Sequence, residues 1–313
     1  MNAKLTRETT CDHEKFARSR ASTAIQIVLT STHDGDMSSC PVMPDDDAPK
    51  LDFGGTTPYE DYVHASVLHT LQKQASDDPR EMSFLVITQV MELYFGLLCF
   101  EWRQAQKELR VDDLRGAVRT LRRSELHMQA LNAAWRPIAR MTPSEFNSFR
   151  DALGEGSGFQ SGMYREMEFL LGEKSRSMLV PHRAVPRLHD SLEALLSEPS
   201  LYDDVLAALS RQGLPIPADV LERDVSQPYQ PDADVEKAWA EVYRGDSRDL
   251  LELGEALTDI AEEFARWRYD HLLATRRSMG AKVGTGGSAG VAWLEKRTQR
   301  SVFPELWTAR SFV

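Results

Sequence analysis

The stretch that most limits what this chain can become is residues 84–100, FLVITQVMELYFGLLCF, inside the longer run EMSFLVITQVMELYFGLLCFEWRQAQKEL (81–109). Thr88, Gln89 and Glu92 interrupt it, and it falls short of the roughly 20 apolar residues a membrane-spanning helix needs. The segment therefore reads as a helix that is apolar on most sides and sits at the centre of a core. A helix of that kind has to be covered by other elements, so the rest of the chain must supply amphipathic partners.

Those partners are helical. DDLRGAVRTLRRSELHMQALNAAW (112–135) is amphipathic, with acids at its start and bases further along. TPSEFNSFRDAL (142–153) opens with a capping box, Thr142 as N-cap, Pro143 at N1 and Glu145 at N3. YEDYVHASVLHTLQKQ (59–74) places Tyr59, Tyr62, Val63 and Val67 at helical spacing. Residues 160–174 continue as helix, and DLLELGEALTDIAEEFARWRYDHLLATRRSMG (249–280) is a last long helix that Gly280 ends. Strand candidates are scarce, so the predicted fold class is all-α. Residues 1–50 are polar and irregular and read as a flexible leader. Residues 51–313 form the helical domain, with a proline-interrupted, variable helical section at about 181–245.

Composition narrows the partners. The net charge of −11 argues against nucleic acid or an anionic membrane surface. Cys11, Cys40 and Cys99 form no CxxC pair and suggest neither a disulfide framework nor a cysteine zinc site, which fits a reducing cytoplasm. No basic start followed by a long apolar stretch marks a signal peptide. The eight histidines include no HExxH or HxxxH pair, so a metal site of close protein ligands is not indicated. A single histidine is enough to hold haem iron, because the porphyrin supplies four ligands. His271, in WRYDH, is the best placed for it, although such a histidine taken alone is more often structural.

Two segments carry further chemistry. In GAKVGTGGSAGVAWLEK (280–296), residues 284–289 satisfy a loose dinucleotide spacing, but a long charged helix precedes them where a short apolar strand is required. The loop therefore holds some other ligand. In FNSFRDALGEGSGFQSGMYREMEF (146–169), Phe146 and Arg150 share a helix face, and Ser157-Gly158 opens the next segment. An arginine on an aromatic face suits capture of a carboxylate; the plain alternative is a surface arginine.

Taken together, SGFQSGMYREMEFLLGEK (157–174), WRYDHLLATRRSMGAKVGTGGSAGVAWL (267–294) and FPELWTARS (303–311) closely resemble the tryptophan 2,3-dioxygenase superfamily. YEDYVHASVLHTLQKQ and FLVITQVMELYF (84–95) resemble two more of its blocks, so the resemblance spans about 59–175 and 247–313. It implies an all-helical homotetramer that binds haem b and uses molecular oxygen on an indole ring. By the same resemblance, His271 is the axial ligand of the haem iron and Trp135 lies near a haem propionate. Arg150 clamps the substrate carboxylate, and Thr285 meets the ammonium and carboxylate. Ser157 and Gly158 lie beside haem and indole, while Phe84, Phe146 and Leu153 wall the indole. Tyr59, Tyr62 and Val63 match residues that reach a neighbouring subunit's site, with Val63 in place of a leucine.

One position departs from the family. VITQVMEL (86–93) carries Thr88 where the dioxygenases have a distal histidine that bonds the indole N–H. Thr88 is shorter and is no base near neutral pH, though its hydroxyl can accept one hydrogen bond. The expected substrate is tryptophan or a derivative such as β-methyltryptophan. Some relatives monooxygenate aromatic amino acids in natural-product pathways, and with Thr88 this tips the expectation towards monooxygenation to a 2-oxindole with an external reductant. The alternative is ring opening to N-formylkynurenine. An alternative of another class is a haem-binding sensor.

Overall fold

The computed structural model describes residues 49–313 apart from Ser288; the leader expected over 1–50 lies almost wholly outside the described residues. No strand occurs among the described residues. The helices are α1 (Pro58–Val63), α2 (Ala65–Leu68), α3 (Arg80–Arg110), α4 (Leu114–Ala133), α5 (Trp135–Ala139), α6 (Pro143–Arg150), α7 (Gly162–Leu170), α8 (Pro186–Leu196), α9 (Leu201–Arg211), α10 (Ala218–Leu221), α11 (Ala233–Arg244), α12 (Arg248–Met279), α13 (Val291–Thr298) and α14 (Pro304–Thr308). The described residues fall into two units, one up to Asp61 and one from Tyr62 to Val313. In the first, the described residues run from Pro49 into α1, with the Thr56 hydroxyl donating to Asp61 at 2.6 Å.

The second unit is built on α3, α4 and α12. Leu98, Trp102, Ala105 and Leu109 recur at helical spacing on α3 and are fully buried, facing the buried stripe Ala117, Leu121, Met128 and Leu131 of α4. Leu253, Leu257, Ile260 and Phe264 of α12 close the third side. Each fully buried leucine, isoleucine, methionine or phenylalanine among them contributes about 1.5–3 kcal/mol by leaving water. Trp102 keeps its one donor satisfied inside this layer, giving a 3.1 Å hydrogen bond to Ser124. Asp112, at φ 58°, turns the chain out of α3, and the carboxylate of Asp113 then accepts from Gly116 N–H at 2.8 Å to start α4.

Two expectations need amendment. The helix read over 59–74 is broken at His64, which takes a left-handed φ of 53° and separates two short turns. Helix α3 is not covered all round: Leu93, Leu97 and Phe100 are exposed on one stripe of this single chain. It is long and apolar enough to cross a membrane by composition, yet its other face packs on α4, α7 and α9. Residues 181–245, the variable helical section, contribute to the same core. Leu195, Leu201, Tyr202, Val205 and Trp239 are buried in the common core, and Glu305 of α14 accepts from Tyr202 at 2.9 Å, Tyr229 at 2.6 Å and Asp232 N–H at 2.8 Å.

Candidate active site

Helix α12 carries His271 on the face that packs against α4 and α5. The indole of Trp135, first residue of α5, stacks on the imidazole at 4.9 Å between centroids. Trp267, one turn before His271, meets it edge-on at 5.5 Å and meets Trp135 at 5.6 Å. Burial in this aromatic enclosure pushes the imidazole down to about 4, so His271 is neutral near neutral pH and its lone pair is free to ligate. The indole nitrogens of Trp135 and Trp267 are buried without a hydrogen-bond partner. An unspent donor inside a core costs about 1–3 kcal/mol, which marks a place where another group belongs.

Behind Trp267 lies a pedestal of charge. Tyr164 of α7 stacks on it at 4.8 Å. Burial pushes that phenol well above its ordinary value, so it stays protonated. Glu168 is fully buried and pairs with Arg165 and, at 3.0 Å, with Arg268; Arg268 also reaches Glu173 at 2.6 Å. Burial alone would raise the Glu168 carboxyl, but Arg165, Arg268 and Arg297 together hold it below the ordinary range. α7, α12 and α13 are thus locked together three residues from His271.

The second group of predicted residues gathers around α6. The capping box is present: Thr142 Oγ1 accepts from Glu145 N–H at 3.3 Å, and the Glu145 carboxylate accepts from Thr142 N–H at 2.7 Å. The helix so started presents Phe146 to Phe84 of α3 at 5.8 Å. Phe149 completes the aromatic wall, 5.6 Å from Phe84 and 5.5 Å from Phe146. Leu153 ends the short 3-10 turn Asp151–Leu153 and is part-buried. Arg150 gives one nitrogen to the carbonyl of Val283 at 2.8 Å, while its Nε is buried and unpartnered.

The glycine-rich segment lies against this wall. Thr285 Oγ1 donates to the carbonyl of Gly156 at 2.6 Å. A Cβ on Gly286 would stand 2.8 Å from Cβ of Ser157, so only glycine allows the approach. Ser157 caps the 3-10 turn Gly158–Gln160, and a Cβ on Gly158 would meet nothing within 4 Å, so space opens beside it. Thr88, one turn beyond Phe84, donates its hydroxyl to the Phe84 carbonyl at 2.8 Å and keeps only acceptor capacity. Tyr59 and Tyr62 are exposed on α1, and Val63 is part-buried.

Sequence reasoning left out Trp267, Tyr164 and Phe149. Trp267 had a signal, its i−4 spacing from His271, and Phe149 stands next to Arg150; Tyr164 had none, because only the tertiary packing of α7 brings it there.

A sequence model described as Tryptophan 2,3-dioxygenase matches residues 45–248 and 240–313. The chain belongs to the tryptophan 2,3-dioxygenase family. It is 42% identical over 264 residues to the tryptophan 2,3-dioxygenase of Pseudomonas fluorescens, covering 84% of this chain and 93% of the relative. The same-named protein of Burkholderia orbicola is 41% identical, with 84% and 85% covered, and that of Bordetella parapertussis 40%, with 85% and 94%. The family match runs through 181–245, which the recognised sequence blocks had left outside. The protein is accordingly a haem-dependent oxygenase.

Proposed function

We propose that this protein opens the indole ring of L-tryptophan, or of a ring- or side-chain-modified tryptophan, by inserting both atoms of dioxygen to give N-formylkynurenine or its analogue. The observation that carries this is Arg150. Its buried Nε has no partner, it sits beside the Phe84–Phe146–Phe149 wall, and the Thr285 loop lies next to it. That set suits a zwitterion with a flat apolar side chain. Curated relatives of about two-fifths identity that bear the dioxygenase name support ring opening over the monooxygenation expected from Thr88.

The residues present fit haem b. Neutral His271 offers a ligand nitrogen, and the unspent Trp135 Nε1 suits a propionate carboxylate. When held there, haem supplies the site at which dioxygen is activated. The chain does the rest. Arg150 takes the substrate carboxylate in a charge-assisted bond, and Thr285 turns its hydroxyl to the amino-acid end. The aromatic wall excludes water and orients the indole, a gain of position rather than of acid–base power. Ser157 and Gly158 leave room where the ring must lie.

A second reading has one observation in its favour. Thr88 gives its proton to its own helix, so the indole N–H meets an acceptor only, and the ring is held less firmly than by an imidazole. A looser ring favours a single oxygen insertion to a 2-oxindole, which draws two electrons from an external reductant. Mass spectrometry of products formed under isotopically labelled dioxygen decides between them. Two labelled atoms without dependence on reductant are expected; one labelled atom with such dependence would transfer the conclusion to the second reading.

We further propose that the chain works in the cytoplasm as a homo-oligomer, a tetramer, in which Tyr59, Tyr62 and Val63 serve a neighbouring site. Leu93, Leu97 and Phe100, exposed at i, i+4 and i+7 of α3, are the apolar surface that assembly would cover. Light scattering that returned the monomer mass would refute it.

A further inference from the structure

The segment between α12 and α13 leaves and rejoins the fold at two glycines with positive φ, Gly280 at 60° and Gly290 at 57°. A Cβ on Gly290 would lie 2.7 Å from the carbonyl oxygen of Lys282, so the loop closes on its own first residues. Three polar contacts then fasten it to the 147–157 region: Lys282 Nζ to Asn147 Oδ1 at 3.0 Å, Arg150 to the Val283 carbonyl at 2.8 Å, and Thr285 to the Gly156 carbonyl at 2.6 Å.

Two of these contacts use groups that the proposed substrate also needs. A carboxylate that takes Arg150 side-on, at its unpartnered Nε and at Nη2, competes with the Val283 carbonyl for Nη2 and, being charged, wins that competition. A carboxylate oxygen that takes the Thr285 hydroxyl competes likewise with the Gly156 carbonyl. The bond from Lys282 to Asn147 is the one of the three that involves neither group. Asn147 and Arg150 are three residues apart on α6, hence on the same face, and they hold the adjacent loop residues Lys282 and Val283.

We propose that Lys282 is a positioning residue: its bond to Asn147 keeps the glycine loop on α6 while Arg150 exchanges the Val283 carbonyl for the substrate carboxylate. The inference rests on the reading of Arg150 as the carboxylate site. Without the latch the exchange frees residues 282–283 at the moment of binding, and the bound amino acid escapes faster. Asn147 is neutral, so the latch is weak enough to open for product release.

The test compares Lys282→Met, Asn147→Ala and the double variant of the haem-loaded full-length protein. Tryptophan release is followed by stopped flow through the haem absorbance, and hydrogen exchange of loop amides 282–287 is measured without ligand. Loss of one hydrogen bond should speed release and loop exchange about 3- to 10-fold in each single variant. The double variant should be no faster than either single one, because both remove the same bond. Asn147→Asp, which turns the contact into an ion pair, should slow both. Additive effects in the double variant, or loop exchange unchanged in both single ones, would overturn the latch. If loop exchange responds as expected while the wild type shows no response to tryptophan, the latch stands and the amino-acid reading of Arg150 falls.

Discussion

The two sides of the proposed site are held by opposite means. Around His271 the structure is over-determined: rings pack on the imidazole from two directions, and a buried Arg165–Glu168–Arg268–Glu173 network ties its helix to α7. Around Arg150 the contacts are single, part-exposed hydrogen bonds to loop carbonyls, and the loop turns on glycines. A group that stays bound between turnovers calls for the first kind of construction. A ligand that enters and leaves calls for the second, since every bond it makes must first be released by the protein. Substitutions on the two sides should therefore fail differently, one through cofactor and fold, the other through affinity.

The largest effect belongs to His271→Ala. Haem retention should be lost altogether, seen as a colourless preparation and an absent Soret band, because among the described residues the rings around His271 are tryptophans, which are not iron ligands; a coloured variant with wild-type haem content would place the ligand elsewhere. Next is Glu168→Gln, which leaves Arg165 and Arg268 buried against a neutral amide. Breaking a buried pair from one side costs about 3–5 kcal/mol. Urea denaturation should show a loss of that order, and a loss under about 1 kcal/mol would mean that the pedestal is not what secures α12. Arg150→Ala reverses the pattern. Tryptophan affinity should fall about 10- to 100-fold with the loss of a charge-assisted bond, while stability shifts by only about 0.5 kcal/mol because the residue is part-exposed. If that variant instead unfolded, the contrast between the two sides would collapse.

How far the sequence showed these two sides differs in the same way. The distal side was largely legible, because its signals are local: a capping box at Thr142, an i, i+4 pair at Phe146 and Arg150, and glycines where the backbone must come close. The long helices were legible too, from their 3.6-residue period. The proximal pedestal was not. Arg165 and Glu168, three residues apart, look like an ordinary solvated pair, and only the docking of α7 against α12 buries them with Arg268. The break at His64 escaped as well, since nothing in YEDYVHASVLHTLQKQ announces a left-handed residue. Periodicity reports which face is apolar, not which buried charge meets which.

Thr88 sharpens the comparison most finely, because it sits on α3 one turn beyond Phe84, whose ring belongs to the wall of the exchangeable side. Thr88→Val keeps the branched shape and removes only a hydroxyl bonded to its own helix, so unfolding free energy should move by less than about 0.5 kcal/mol. Tryptophan affinity should weaken by about threefold at most, the worth of one weak acceptor. Thr88→His adds a donor–acceptor ring at the same place, and the ratio of ring-opened to singly oxygenated product should rise with it. If Thr88→Val and Thr88→His leave that ratio where the wild type has it, the distal residue has no part in the outcome. The positioning by Arg150 and the aromatic wall then suffices by itself, and the departure at Thr88 is tolerated because this side of the site was never rigidly specified.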